Sequence, residues 1–197
     1  KTTWGVCGHL FLRECNGKHP FKVDDWYGDW FRYDPATDYR KNNAWYMPNL
    51  VQNLIENQYV DVGYHSFAHF PYWKIDRDTA KRDMEIADKM RKQYNISLES
   101  FIFPYNLVEH VDIVVDGGFK YLRGFLGHQI FAIMDFGDFI FFNTTKMLHP
   151  SRTLKFSLGE NYYLHPWNWK YSGLSKLDRF ADTVEKEKSI FMTEAKG

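Results

Sequence analysis

Strand-like and helix-like stretches take turns along this chain, and that alternation narrows the folds open to it more than any single motif does. Thr2-Thr3-Trp4-Gly5-Val6-Cys7 is β-branched and aromatic and reads as a strand, with Gly8 to Leu12 continuing it into a loop or a helical turn. Pro48 suits the first turn of a helix whose apolar stripe is Leu50, Val51, Leu54 and Ile55 and which Asn57 closes. Tyr59 to Gly63 is a second strand. Asp76 is placed to cap a longer helix, with Ala80, Met84, Ala87 and Met90 facing inward and its charges outward. Leu98 to Phe103 reads as a strand ended by Pro104, Val108 to Asp116 as a helix stopped by Gly117-Gly118, and Phe119 to Leu122 as a short strand. Residues 128 to 145 are apolar and β-like, with a hairpin expected around Gly137-Asp138. Asn161 to Leu164 is a further strand, Leu174 to Lys186 an amphipathic helix and Ile190 to Thr193 a last strand. Alternation of this kind predicts an α/β fold with a parallel sheet or barrel, in which chemistry gathers at the carboxyl ends of the strands.

Those strand ends carry the chemically interesting residues. The strand Tyr59 to Gly63 delivers the chain to His65 and His69. If the residues between them turn helically, the two rings share one face and can grip one borderline metal such as Zn²⁺. The same spacing also arises as two solvated or core-edge histidines. Pro104-Tyr105 and His165 each follow a strand as well, and three strand ends converging on polar chemistry favour a site over that plainer reading.

Lys+Arg and Asp+Glu both number 25, so no basic field draws in nucleic acid or an anionic membrane. Phe139 to Phe142 is too short to span a bilayer. Aromatic residues make up 19% of the chain, and some stand in polar sequence such as Asp25-Trp26-Tyr27-Gly28-Asp29-Trp30-Phe31. Rings beside carboxylates suit sugars, whose C–H faces stack while their hydroxyls hydrogen-bond; a satellite apolar cluster under a loop accounts for them equally well. Residues 16 to 46 form a long irregular segment, the kind that commonly serves as a lid or binding loop. Cys7 and Cys15 do not amount to a disulfide framework, and Cys7 reads as an ordinary buried thiol.

The chain resembles the metal-dependent polysaccharide deacetylases with the NodB homology domain, the family four carbohydrate esterases. His65-Ser66-Phe67-Ala68-His69 is similar to that family's HSxxH metal motif, Phe103-Pro104-Tyr105 to the end of its RxPY-type groove motif, and Leu164-His165-Pro166 to its late LxH motif. Thr3-Trp4-Gly5-Val6-Cys7-Gly8-His9-Leu10-Phe11 also looks like the family's second strand. The resemblance runs over nearly the whole chain, 1 to 197, with 16 to 46 as an aromatic and acidic insertion. It implies a deformed (β/α) barrel with the metal at its carboxyl-terminal mouth, and hydrolysis of an acetyl group from an N-acetylated sugar or glycan. It further implies that His65 and His69 bind a divalent metal, most simply Zn²⁺. His165 would be the general acid, the Tyr105 N–H would help hold the oxyanion, and Tyr105, Asn106 and Trp167 would shape the sugar groove.

Two departures accompany the likeness. The family's first-strand Asp-Asp motif, which supplies the base and a third metal ligand, has no counterpart ahead of Thr3; the expectation is that an upstream strand completes the barrel or that a second chain, as in a homo-oligomer, covers its edge. Asp24-Asp25 falls after the second strand and reads as solvated loop sequence. The groove motif's Arg aligns with Ile102, which cannot steady a catalytic carboxylate. A catalytically inactive carbohydrate-binding relative is therefore the alternative, and a hydrolase of another C–N amide bond a lesser one. His9 resembles a structural position of the family. His19, His110, His128 and His149 have no partner spacing, and Glu109-His110 reads as helix surface.

Overall fold

The computed structural model describes residues 2–21, 23–25, 28–125, 134–136, 139–142, 145–147 and 161–163. His165 and Trp167 lie outside the described residues, as do Trp26, Tyr27, His128, His149, the Leu174 to Lys186 helix and the Ile190 to Thr193 strand.

A six-stranded sheet organises the molecule. β1 (Thr2–Val6) pairs in parallel with β4 (Val60–Tyr64), β4 with β5 (Ser100–Leu107), β5 with β6 (Tyr121–Phe125), and β6 with β8 (Phe139–Phe142); β7 (Met134–Phe136) closes the order antiparallel to β8. The fold is mixed α/β, as the alternation requires. Phe136 stands opposite Phe139 in the antiparallel pair, and the expected turn residues Gly137-Asp138 lie outside the described residues. Two small pairs stand apart: β2 (Asp24–Asp25) with β3 (Gly28–Asp29), inside the long irregular segment, and β9 (Thr145–Met147) with β10 (Asn161–Tyr163). Among the described residues β1 is an edge strand.

The helices form where the apolar spacing puts them. α1 (Pro48–Glu56) begins on its proline, and Val51 is buried while Leu54 and Ile55 pack against the core. Leu50 was expected in the apolar stripe but is 50% exposed, because the helix lies on the sheet by a narrower face. α2 (Arg77–Tyr94) has its N-terminus capped by Asp76, whose carboxylate accepts the Thr79 N–H at 2.7 Å. Ala80, Met84, Ala87 and Met90 face inward as expected; Asp83 does too, against the expectation that the helix turns its charges outward. α3 (Val111–Asp116) is shorter than the stretch from Val108 and stops at Gly117. β5 does not end at Pro104 but runs on to Leu107, with its register to β6 broken between Ile102 and Leu107. The proline is tolerated there because the ladder is already interrupted.

A glycine pair sets how closely these strands pack. Gly5 and Gly63 are register partners on β1 and β4, and the Ile102 side chain lies across both. A Cβ added at Gly63 would stand 3.0 Å from Ile102 Cδ1 and 3.2 Å from Thr3 Cγ2, so a larger residue there would have to push its neighbours aside.

Candidate active site

His65 and His69 come together, though not on a helix. Residues 66 to 68 form a turn, and both Ser66 (φ 57°) and His69 (φ 60°) are left-handed. The result is two rings 4.6 Å apart between centroids and 76° to one another. His65 Nδ1 lies 2.6 Å from the Ile102 carbonyl oxygen. A carbonyl only accepts, so Nδ1 carries the hydrogen and the lone pair of the neutral ring sits on Nε2. That is the tautomer a metal-ligating histidine adopts when a backbone oxygen orients it.

The break in β5 supplies the next piece. Tyr105 (φ 59°) and Asn106 (φ 58°) are both left-handed, and the Tyr105 ring packs edge-to-face with His69 at 4.7 Å and with Trp73 at 5.1 Å. Tyr105 is 46% exposed and presents an aromatic face at the rim. Asn106 Oδ1 accepts from Arg123 Nη2 at 3.0 Å, so this side chain is held by β6. Non-glycine residues in this conformation are uncommon; Ser66 and His69 follow β4, Tyr105 and Asn106 sit in the broken stretch of β5, and His110 follows β5. Beside His69 opens a cavity of about 290 Å³, walled by Trp30, Trp45, Leu10 and Phe31. Trp30 comes from the irregular segment, and its indole donates to the Ala68 carbonyl at 2.7 Å, tying that segment to the histidine turn.

The turn is held from below by a residue the sequence did not single out. Asp83 on α2 is fully buried; its Oδ1 accepts from the Tyr64 hydroxyl and the Phe67 N–H, both at 2.8 Å, and its Oδ2 from the Tyr72 hydroxyl at 2.6 Å. These three donors flank and include the His65–His69 segment. Burial pushes the Asp83 carboxyl up to about 6, against the pull of its hydrogen bonds from Tyr72, Tyr64 and Phe67. Cys7, beside the pair, donates to the His65 carbonyl at 3.5 Å; its thiol is pushed up to about 12 by burial, reinforced by the charge of Asp83, and is inert.

A second cluster gathers in and beside the irregular segment. His9, on the 3₁₀ turn Gly8–Phe11, meets Cys15, His19 and Asp34, whose ligand-type atoms all lie within 4.8 Å of one another. This set can hold a metal. It corrects the reading of His19 as partnerless: its Nε2 stands 2.7 Å from Asp34 Oδ2, and its ring stacks on Phe31 at 3.7 Å. Cys15-x-x-x-His19 was the available signal, but spacing alone did not reveal His9 and Asp34 as its companions. Burial pushes the Asp34 carboxyl up, yet hydrogen bonds from Tyr46, the Ala36 N–H, His19 and Cys15 outweigh it and leave the group well below the usual carboxylate range.

His110 is not helix surface either. It precedes α3, and its Nε2 lies 2.9 Å from the Ile75 carbonyl. Ile102 is 3% exposed and occupies the space over the glycine pair. No described helix is long and apolar enough to cross a membrane. Comparison with protein-family models, with curated proteins and with solved structures found no match to this chain.

Proposed function

We propose that the chain is a metal-dependent hydrolase that removes an acetyl group from an N-acetylated sugar or glycan, built on a deformed (β/α) barrel of the NodB type. One observation carries the reading: His65 and His69 converge under an exposed tyrosine, with the His65 tautomer set by the Ile102 carbonyl so that Nε2 is a ligand nitrogen. Two imidazoles suit Zn²⁺, which when bound would polarise the acetyl carbonyl and lower the pKa of its water. Trp30, Trp45 and Tyr105 offer stacking faces for a pyranose ring, and the cavity between the first two opens beside His69. Asn106 offers its amide at the rim. His165 is proposed as the acid that protonates the leaving amine, on the resemblance of Leu164-His165-Pro166 to the LxH motif.

Acetate release from N-acetylated chito-oligosaccharides, measured alongside elemental analysis, tests this. The intact protein is expected to release acetate, and His65→Ala/His69→Ala to release none while losing one metal ion per chain. Release of acetate by that double variant at the intact rate would refute the assignment. A carbohydrate-binding relative without activity is the second reading, favoured by the burial of Ile102 where the family carries an Arg. It predicts glycan binding with no acetate.

A further inference from the structure

The geometry points to a structural zinc site in and beside the irregular segment, formed by His9 Nε2, Cys15 Sγ, His19 Nε2 and Asp34 Oδ2, separate from the His65–His69 pair and independent of whether that pair is catalytic.

The hydrogen-bond directions make the case. His9 Nδ1 lies 3.1 Å from the Trp45 carbonyl oxygen, which can only accept, so Nδ1 carries the hydrogen. His9 Nε2 then faces Asp34 Oδ2 at 3.3 Å. In a neutral ring that contact sets one lone pair against another, and a cation between them resolves it. The side chains of His9 and Asp34 are only 5% and 1% exposed, so water does little to relieve it. The other Asp34 oxygen is already engaged: Oδ1 accepts from the Tyr46 hydroxyl at 2.6 Å and from the Ala36 N–H at 3.0 Å. One oxygen fixed by outer donors and the other aimed at two histidines is the arrangement of a monodentate carboxylate ligand. Cys15 Sγ accepts the Gly17 N–H at 3.3 Å and lies 3.9 Å from His19 Nε2.

All six ligand-atom separations lie within 4.8 Å, and three of them can be set against a tetrahedral ion. Ligand bonds of ~2.0–2.1 Å to N and O and ~2.3 Å to S put neighbouring ligand atoms about 3.3 to 3.6 Å apart. The His9–Asp34 separation of 3.3 Å already matches, and the Cys15–His19 separation of 3.9 Å closes slightly. The His19–Asp34 contact of 2.7 Å has to open, by roughly 0.6 Å on the bond lengths above. One soft and three harder ligands select Zn²⁺ over Mg²⁺ or Ca²⁺. The placement also makes sense physically. Three of the four ligands lie in a segment with little regular secondary structure, where a metal can supply the cross-links that a sheet would otherwise provide.

The test uses the 197-residue chain stripped with a chelator and titrated with Zn²⁺, and with Co²⁺ as a spectroscopic probe. The His65→Ala/His69→Ala variant removes the other pair from the count. It is expected to keep one Zn²⁺ per chain, with one sulfur ligand at ~2.3 Å in the zinc X-ray absorption spectrum. With Co²⁺ it is expected to give a thiolate-to-metal charge-transfer band that Cys15→Ser abolishes and Cys7→Ala leaves in place. Cys15→Ser should also weaken Zn²⁺ binding at least about tenfold. The site is overturned if the double histidine variant binds no metal, or if its bound metal has no sulfur ligand. A band that persists in Cys15→Ser overturns it as well. Should Cys15→Ser fail to fold, the absorption spectrum of the double histidine variant decides alone. Acetate release plays no part in this readout, so failure here leaves the proposed hydrolase standing, and the converse.

Discussion

Asp83 and Asp34 are both carboxylates drawn out of water, but the groups around them differ in kind. Asp83 is ringed by two tyrosine hydroxyls and a backbone N–H, none of which titrates near neutrality. Asp34 takes a tyrosine hydroxyl and a backbone N–H on one oxygen, while the other faces two histidines beside a thiol. The first arrangement is closed, with every donor pointing inward to fasten the His65–His69 turn onto α2. The second gathers a carboxylate oxygen, two imidazole nitrogens and a thiol sulfur within 4.8 Å of one another. Local polarity alone would not distinguish them; the direction of each hydrogen bond does.

The comparison breaks most visibly if Asp83 is truncated. Asp83→Ala leaves three donors without an acceptor in the interior and should destabilise the protein by about 4 kcal/mol in denaturant unfolding, with loss of the His65–His69 site. Asp83→Asn should be far milder, about 1 kcal/mol, because the Tyr72 hydroxyl can rotate to accept from the new amide.

The pH dependence separates the two carboxylates next. The Asp83 pKa is raised in the folded state, from an ordinary 3.8 to about 6. Its titration therefore favours folding fully below 3.8, and that contribution is lost as pH rises through 6, by about 3 kcal/mol in all. Asp34 has the opposite sign: its contribution is present above the ordinary carboxylate pKa and is lost as pH falls through the depressed one. Unfolding free energy measured from pH 1.5 to 7 should show the Asp83 slope above pH 3.8 in the intact protein and lose it in Asp83→Asn, while Asp34→Asn should leave that slope and flatten the limb below pH 3.8.

Chelation comes third. Stripping zinc held at a hundredfold excess over its Kd should lower stability by about 2.7 kcal/mol. Hydrogen exchange should quicken within residues 12 to 46 and stay unchanged in α2 and β5. The smallest effect is expected outside both knots: Tyr105→Ala should lower kcat/KM for an acetylated oligosaccharide about fivefold, roughly 1 kcal/mol, with stability nearly unaltered.

What the sequence disclosed followed local periodicity. α2 was legible because Asp76 caps it and Ala80, Met84, Ala87 and Met90 repeat on one face. Asp83 was hidden by the same logic, since a carboxylate on an inward-facing position looks like an ordinary surface charge until Tyr64 and Tyr72 fold back onto it. His65 and His69 were visible as a pair, but the geometry joining them was not helical; a left-handed Ser66 and His69 have no propensity signature. Pro104 read as a strand terminator because the interrupted register that tolerates it depends on β6. His9, Cys15, His19 and Asp34 are brought together by loop packing around Phe31 and Tyr46, which no period encodes.

The left-handed residues after β4 and in the broken end of β5 carry a consequence for anyone evolving this protein. Non-glycine side chains held there forgo about 1 kcal/mol or more apiece. A heat-resistance screen blind to chemistry should therefore enrich His69→Gly and Tyr105→Gly, yielding hardier clones that have discarded a proposed ligand and the rim of the groove. Selection on turnover should hold both side chains in place, so the amino acids recovered at 69 and 105 would report which pressure the library had felt.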